Sequence, residues 1–306
     1  MNRGPLDLQR HSLNQHFISR FLIENFVDES APGNRGVWVV RARDGLWTKR
    51  STRTTGSLED FYTIVQEDGA HDDTLEDFME KIETQVAPII RNGIELGRPL
   101  PPPQPYDVFV CFCALLICRN PSTFERVKET LVSNMVDEMK RDFADQESFQ
   151  KFRSEFKEHT ATDFPNYVDP AKVLSGFKVS VTREGGLGFS LLMLQPLNEY
   201  LGRLHVRFLR SPTDHTFITG DCPYVIDTSQ SGLIEQLLVP LSPRTCAMFY
   251  PDTETKYDYL DVDDQAVDRV NSSVLRAARE FLIAYSPDAV SEELVARWAA
   301  SNREGR

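Results

Sequence analysis

Residues 106–119 read YDVFVCFCALLICR and contain the longest apolar run of the chain, Val108 to Cys118. This run has about half of the roughly 20 residues that a helix needs to cross a bilayer. It therefore predicts a helix buried inside a protein core. A buried helix needs other elements to cover it, and the flanking sequence supplies them.

Helical patterns lie on both sides of this buried run. On its N-terminal side, apolar residues recur at helical spacing over residues 74–91, which begin with a capping box. The proline-rich segment 98–105 separates that helix from the buried run. On the C-terminal side, Asn120 and Pro121 supply the N-cap and first-turn proline of a further helix. The middle third of the chain is therefore predicted to form a helical layer.

Segments nearer the two ends of the chain show the period of two that is typical of strands. Residues 36–49 are predicted to form a hairpin, and residues 263–285 and 292–300 return to helix. The other predicted strands lie at residues 177–181, 204–208, 217–219, 237–239 and 246–250.

These patterns together predict an α+β fold. The helical middle layer would pack on a mainly antiparallel sheet that is built from N-terminal and C-terminal strands. Hydrophobic residues make up 41% of the 306 residues, which is enough to fill a substantial core. No internal repeat and no low-complexity linker divides the sequence, so residues 1–306 are predicted to form a single interwoven domain.

The composition limits which partners the protein is expected to bind and in which cellular compartment it is expected to occur. The formal net charge of −12 repels phosphate polymers unless a local basic patch holds them. Five cysteines show no spacing that indicates a disulfide framework or a closed zinc site. The first residues lack the apolar centre of a secretory signal. We therefore expect a cytoplasmic protein with reduced thiols and no membrane partner.

Four short motifs follow one another along the chain: QHFISRFL with NF at residues 15–22 and 25–26, ICRNP at 117–121, FITGDCP at 217–223 and PLSP at 240–243. Their order and spacing resemble the signature of the domain of unknown function 4238 family. Ser19 stands where that family commonly has proline, and Cys222 stands where it often has asparagine. The resemblance brings no established activity, but it singles out the polar residues of these motifs.

Three of these polar residues are candidate catalytic residues. His16 can act as an acid or base near neutral pH, or it can be a core histidine bonded to a backbone carbonyl. Arg119 follows the buried helix, where its guanidinium would hold a carboxylate or phosphate, or only place a positive charge at the helix C-terminus. Asp221 ends an apolar strand, a position that suits a cleft or an Asx-type turn.

Glu76, Glu80 and Glu83 are candidate metal ligands together with Asp221. The three glutamates fall within an arc of about 60° on the helix predicted over residues 74–91, since each residue turns a helix by about 100°. Clustered carboxylates favour a hard divalent cation, which here would be Mg²⁺ or Mn²⁺. The alternative is a solvated acidic face.

The sequence supports two hypotheses of function. The first is a hydrolase, a metal-dependent nuclease or phosphodiesterase-like enzyme acting on a small-molecule or nucleic-acid phosphate, in which Asp221 helps to bind the ion and His16 moves protons. The second is a non-catalytic binding or regulatory module, in which Arg119 pairs with Asp221 or Glu83 in a structural polar network. An enzyme should bring these side chains into one open cleft, whereas a structural network should bury them fully paired.

Overall fold

The computed structural model describes residues 14–30, 35–65, 71–72, 74–100, 104–161, 179–252 and 256–304. By its internal contacts the chain falls into two units. The first unit comprises Met1–Asn120 and Met193–Arg306, so it interleaves both ends of the chain, and the second is Pro121–Leu192. The predicted α+β fold class is confirmed, with helices and mostly antiparallel sheets. That residues 1–306 form one domain stays a prediction.

The described strands, in chain order, are β1 (Asn14–His16), β2 (Val37–Arg41), β3 (Trp47–Arg50), β4 (Ser57–Glu59), β5 (Ile64–Val65), β6 (His71–Asp72), β7 (His205–Arg210), β8 (Thr219–Gly220), β9 (Val225–Thr228), β10 (Ile234–Ser242), β11 (Thr245–Tyr250), β12 (Tyr257–Asp261) and β13 (Phe281–Ala284). The described α-helices are α1 (Arg20–Glu24), α2 (Thr74–Ile89), α3 (Tyr106–Cys118), α4 (Pro121–Ala144), α5 (Gln146–Thr160), α6 (Arg183–Leu192), α7 (Leu194–Leu201), α8 (Asp264–Ala277) and α9 (Glu292–Glu304). Helix α2 continues as a π-helical turn, Ile90–Ile94, just after Pro88.

Helix α3 is the buried run of residues 106–119, as predicted. Its side chains from Phe112 to Leu116 are fully buried. Within the described ranges, no single helix is long and apolar enough to cross a membrane. Helices α3 and α4 meet the criteria of length and composition only when they are counted together as one bent pair.

Helix α3 packs on a five-stranded sheet with the order β12-β7-β11-β10-β9. Strand β12 pairs parallel with β7, and the other neighbouring pairs are antiparallel. The ring centroid of Phe109 in α3 lies 5.4 Å from that of Phe208 and 6.1 Å from that of Phe249. Burying each such ring contributes about 1.5–3 kcal/mol. The predicted mainly antiparallel sheet is confirmed here, but all strands of this sheet lie between residues 205 and 261, and the predicted combination of N-terminal and C-terminal strands occurs in a separate sheet.

A second sheet, with the order β3-β2-β13-β8, joins the two ends of the chain. Strands β2 and β3 form the hairpin predicted over residues 36–49, and Gly45 in its turn has a φ of +67°, which glycine adopts with little strain. Strand β13 pairs antiparallel with β2, so that Phe281 lies opposite Arg41. The core of this unit includes Val40, Phe217, Val274, Leu282 and Trp298.

Two predictions of secondary structure are wrong. The strand predicted over residues 177–181 is not formed by Val179 to Val181, which lie in an irregular segment before α6, and Phe177 lies outside the described residues. The helix predicted over residues 263–285 ends at Ala277, because residues 281–284 pair with β2 and β8. A short apolar run such as Phe-Leu-Ile-Ala is compatible with helix or strand, and here pairing in the sheet decides.

The described part of the second unit contains α4, α5 and α6. The carboxylate of Asp145 caps α5 by accepting a 2.7 Å hydrogen bond from the Ser148 backbone N–H. Helices α4 and α6 approach closely at Gly186, where a Cβ would lie 2.6 Å from the Phe124 ring. The close approach explains the glycine at this position.

Candidate functional site

Arg119 lies at the C-terminal end of α3, and only 1% of its surface is exposed. Its Nε donates a 3.1 Å hydrogen bond to the carbonyl oxygen of Phe17, and its Nη2 donates a 2.8 Å bond to Ser19 Oγ. Its Nη1 forms an ion pair with Glu83, a residue of α2. All three guanidinium nitrogens therefore contact protein groups, which agrees with the predicted structural pairing of Arg119 with Glu83.

The groups around Arg119 bond to one another as well. Ser19 Oγ also donates to Glu83 Oε1 at 3.1 Å, which ties the start of α1 to α2. The Tyr62 hydroxyl donates a 2.7 Å bond to the Arg119 carbonyl oxygen, one of the acceptors that the end of a helix leaves unpaired. Burial raises the pKa of the Tyr62 hydroxyl above its usual value, so it keeps this proton at neutral pH.

Gln15 is a buried member of this network that the sequence reasoning did not single out. Its side-chain amide donates 2.7 Å and 2.9 Å hydrogen bonds to Thr63 Oγ1 and Glu76 Oε2, and its carbonyl oxygen accepts from the Tyr62 backbone N–H. Its signal in the sequence is its position next to His16 in the first motif, two residues before the apolar pair Phe17-Ile18. Gln15 therefore holds β1 against α2 and the Tyr62 segment.

The three glutamates of α2 do not meet at one point. Glu76 accepts from Gln15 and Glu83 pairs with Arg119, because their seven-residue separation puts both on the face that borders the core. Glu80, one turn from each, is exposed. No group of three or more His, Cys, Asp or Glu side chains that could hold a metal ion occurs in the part of the chain that the structure describes. The predicted Mg²⁺ or Mn²⁺ ligands therefore do not fit a preformed ion site.

His16 lies at the edge of the network, at the end of β1. Its Nε2 lies 3.1 Å from the carbonyl oxygen of Thr52, and since a carbonyl only accepts, Nε2 carries the proton. Burial lowers the pKa of the His16 imidazole, and the positive charge of Arg119 lowers it further. The hydrogen bond to Thr52 and the negative charge of Glu83 raise this pKa, but burial has the largest effect. His16 is thus neutral at pH 7 and bonded to a backbone carbonyl, which is the structural alternative that the sequence left open.

Asp221 follows β8 and holds it to the segment before β13. Its carboxylate accepts hydrogen bonds from the backbone N–H of Arg279 at 3.0 Å and of Phe281 at 3.4 Å, and its own N–H donates to the Phe281 carbonyl oxygen at 3.0 Å. Burial raises the pKa of this carboxyl to about 6, although the backbone hydrogen bonds act in the opposite direction. Asp221 therefore stabilises a backbone turn through a carboxyl whose pKa is raised to about 6.

Hydrogen bonds connect the four sequence motifs. Arg119 contacts the first motif, and the neighbouring Asn120 donates a 2.8 Å bond to the Asp221 carbonyl oxygen in the third. Asn25 donates a 2.9 Å bond to the Leu241 carbonyl oxygen in the fourth. Among the described residues, no hydrogen bond or ion pair joins the side chains of His16 and Asp221. The motifs thus form one network, and a shared site for His16 and Asp221 stays a prediction.

An open cleft of about 550 Å³ lies beside this network. Its floor is the face of the second sheet that carries Val39, Arg41 and Phe281, and its wall is the segment 54–58 together with Phe17. Arg43, Arg50 and Glu280 complete the charged part of the lining. The sequence reasoning did not single out this cleft, and the only signal was the group of arginines in and beside the predicted hairpin.

Fold and site together define an α+β protein with a buried network of paired polar residues and an open, arginine-lined cleft next to it. The sequence model of the DUF4238 family, described as protein of unknown function, matches residues 14–288. The chain belongs to this family, as its four motifs indicated. No curated protein and no solved structure matches the chain.

Proposed function

We propose that this protein is a non-catalytic binding module, in which the motif residues stabilise the fold and the cleft holds the ligand. The pairing of Arg119 carries this proposal. A guanidinium that recognises a ligand must keep donors free for it, whereas each nitrogen of Arg119 contacts Phe17, Ser19 or Glu83 in the interior. His16 and Asp221 are likewise bonded to backbone groups.

The cleft suits a binding role by its size and its position. Its volume of about 550 Å³ lies in the range of small-molecule sites, roughly 300–1,000 Å³. Phe17 belongs both to the cleft and to the network, because its carbonyl oxygen accepts from Arg119 while its side chain lines the cleft. The network would therefore keep one wall of the binding site in place. We place the module in the cytoplasm, since all five cysteines are free.

A hydrolase with nuclease or phosphodiesterase-like activity is the second candidate. The observation that favours it is the pKa of about 6 for Asp221, which lies in the range that suits a general acid or base. The Asp221 carboxylate contacts the backbone of Phe281, and Phe281 lines the cleft. The Mg²⁺ or Mn²⁺ of this candidate has no converging ligand set among the described side chains, so we derive no step through a metal.

Purified protein should be assayed for hydrolysis of phosphodiester substrates with and without Mg²⁺ or Mn²⁺, next to the Asp221→Asn variant. The binding module predicts no turnover by either protein above a buffer control. Turnover by the parent protein that is lost in Asp221→Asn, while the variant keeps its fold by circular dichroism, would show that the hydrolase candidate is right and the binding module wrong.

A further inference from the structure

We propose that the cleft binds a small phosphorylated ligand of nucleotide size, with its phosphates on the arginines and its planar apolar part against Phe17 and Phe281. This inference rests on the proposed binding function and names the class of ligand. Its basis is the set of side chains that the hairpin, β13 and the segment 54–58 bring together.

The strand register places the cationic and apolar parts of the cleft on one sheet face. Side chains on one strand alternate between faces, and residues directly opposite on neighbouring strands share a face. Val39 and Arg41 therefore share a face, and the opposite partner of Arg41, Phe281, lies on it too. Arg50 lies on the same face, because its partner is Val37, two residues before Val39. The floor thus carries both charge and apolar surface.

The arginines of the cleft have few partners of their own. The side chain of Arg41 is partly buried, yet it makes no hydrogen bond or ion pair with any residue that the structure describes. Arg50 donates to the hydroxyl of Thr48, and Arg43 lies 3.6 Å from its neighbour Asp44, with both side chains exposed. Elsewhere in the unit, Arg119 and Arg207 are ion-paired. An anion would satisfy donors that the protein leaves open.

The wall of the cleft adds hydroxyl donors on a fixed backbone. Within the described residues, the hydroxyls of Thr54 and Ser57 make no hydrogen bond, so they are open to a phosphate. Gly56 between them has a φ of +66°, and its carbonyl oxygen accepts from the backbone N–H groups of Phe17 and Ile18 at 2.9 Å and 3.2 Å. These bonds hold the wall to the first motif.

The remaining features favour a small ligand with a planar apolar group. The ring centroids of Phe17 and Phe281 lie 6.4 Å apart at 52°, and both side chains line the cleft with Leu58 and Val39. Aromatic rings of this kind provide stacking surface for a base. The chain has 46 acidic and 34 basic residues, so its summed field repels a long polyanion, whereas a small ligand experiences mainly the nearby arginines.

Isothermal titration calorimetry with ATP, adenosine and inorganic phosphate tests this inference. ATP should bind saturably, and adenosine and phosphate should each bind at least about tenfold more weakly, because each lacks one part of the ligand. Arg41→Gln should weaken ATP binding by about tenfold or more, since a charge-assisted hydrogen bond is removed. The matched control is Arg203→Gln, an exposed arginine outside the cleft, which should change the affinity less than about twofold.

Several outcomes would overturn the inference, and they separate it from the proposed function. Absence of ATP binding, or equal affinities of Arg41→Gln and Arg203→Gln, would overturn it. Binding of citrate in place of ATP, with loss in Arg41→Gln, would refute the phosphate class while the binding module stands. Tighter binding of an oligonucleotide than of ATP would refute the small-ligand class. Hydrolysis that depends on Asp221 would instead refute the proposed function. Because the side chain of Arg41 has no partner among the described residues, Arg41→Gln should fold normally.

Discussion

Removing the guanidinium of Arg119 should destabilise the protein strongly. In Arg119→Met, the carbonyl oxygen of Phe17 loses its donor, and Glu83 loses its counter-ion. Ser19 and Glu83 still bond to each other, and 22% of the Glu83 side chain is exposed, so water offsets part of the loss. Breaking one side of a buried ion pair typically costs about 3–5 kcal/mol, and we expect the lower half of that range.

The assay is urea unfolding at 25 °C, followed by far-UV circular dichroism. A loss of about 3 kcal/mol is a large part of a typical stability of roughly 5–15 kcal/mol, and it corresponds to a fall of roughly 10 °C in Tm for a unit of this size. Arg119→Lys keeps the positive charge, but an amine cannot reproduce the planar arrangement of donors with which the guanidinium reaches three acceptors. The loss of unfolding free energy in Arg119→Lys should therefore be intermediate. The matched control is Arg20→Met, whose 3.1 Å pair with Glu24 is exposed. It should lose less than about 1 kcal/mol. An equal, small loss in both methionine variants would refute the structural role of the network.

Three further predictions concern other parts of the structure. Because the pKa of Asp221 is raised to about 6 in the folded state, its contribution to stability should decline as the pH rises from about 4 to about 6, and Asp221→Asn should flatten this part of the pH dependence of the unfolding free energy. Gly56→Ala should lose about 1–2 kcal/mol on thermal unfolding, because φ is +66° and the new Cβ would lie 3.1 Å from Ile18, whereas Gly188→Ala, in open space on α6, should be neutral or stabilising. Millimolar Mg²⁺ or Mn²⁺ should leave the Tm unchanged in parent and Asp221→Asn alike, and a rise in the parent that the variant lacks would support the metal-dependent hydrolase.

Features set by local sequence were predictable. The apolar run before Arg119 predicted a buried helix with the guanidinium at its end, and helical spacing placed Glu76 and Glu83 at the border of the apolar face of α2. The same spacing could not show that Glu80 faces solvent, because all three positions lie in one narrow arc and the packing partners decide between them. Strand alternation predicted the hairpin from residue 36 to 49 for the same local reason.

Features that depend on distant pairing were not predictable. Residues 281–284 have no periodicity of their own that separates strand from helix, and their pairing with β2 involves a segment more than 200 residues away. The cleft combines Phe17 and residues between 39 and 58 with Glu280 and Phe281, so no window of sequence contains it. The role of Gln15 depends on Tyr62 and on α2, which lie far from it in the chain, so its local sequence does not reveal it.

The decisive measurement is the titration of ATP into Arg41→Gln and Arg119→Lys at 15 °C, after circular dichroism has shown that each variant is folded. Arg41→Gln should weaken ATP binding by about tenfold or more while keeping the Tm of the parent protein, because Arg41 lines the cleft and its side chain has no partner among the described residues. Arg119→Lys should lower the Tm but weaken ATP binding much less than Arg41→Gln does, because Arg119 is buried and reaches the cleft only through the backbone of Phe17. Loss of ATP binding in folded Arg119→Lys, together with unchanged binding in Arg41→Gln, would show that the ligand depends on the Arg119 network and not on the arginines of the cleft.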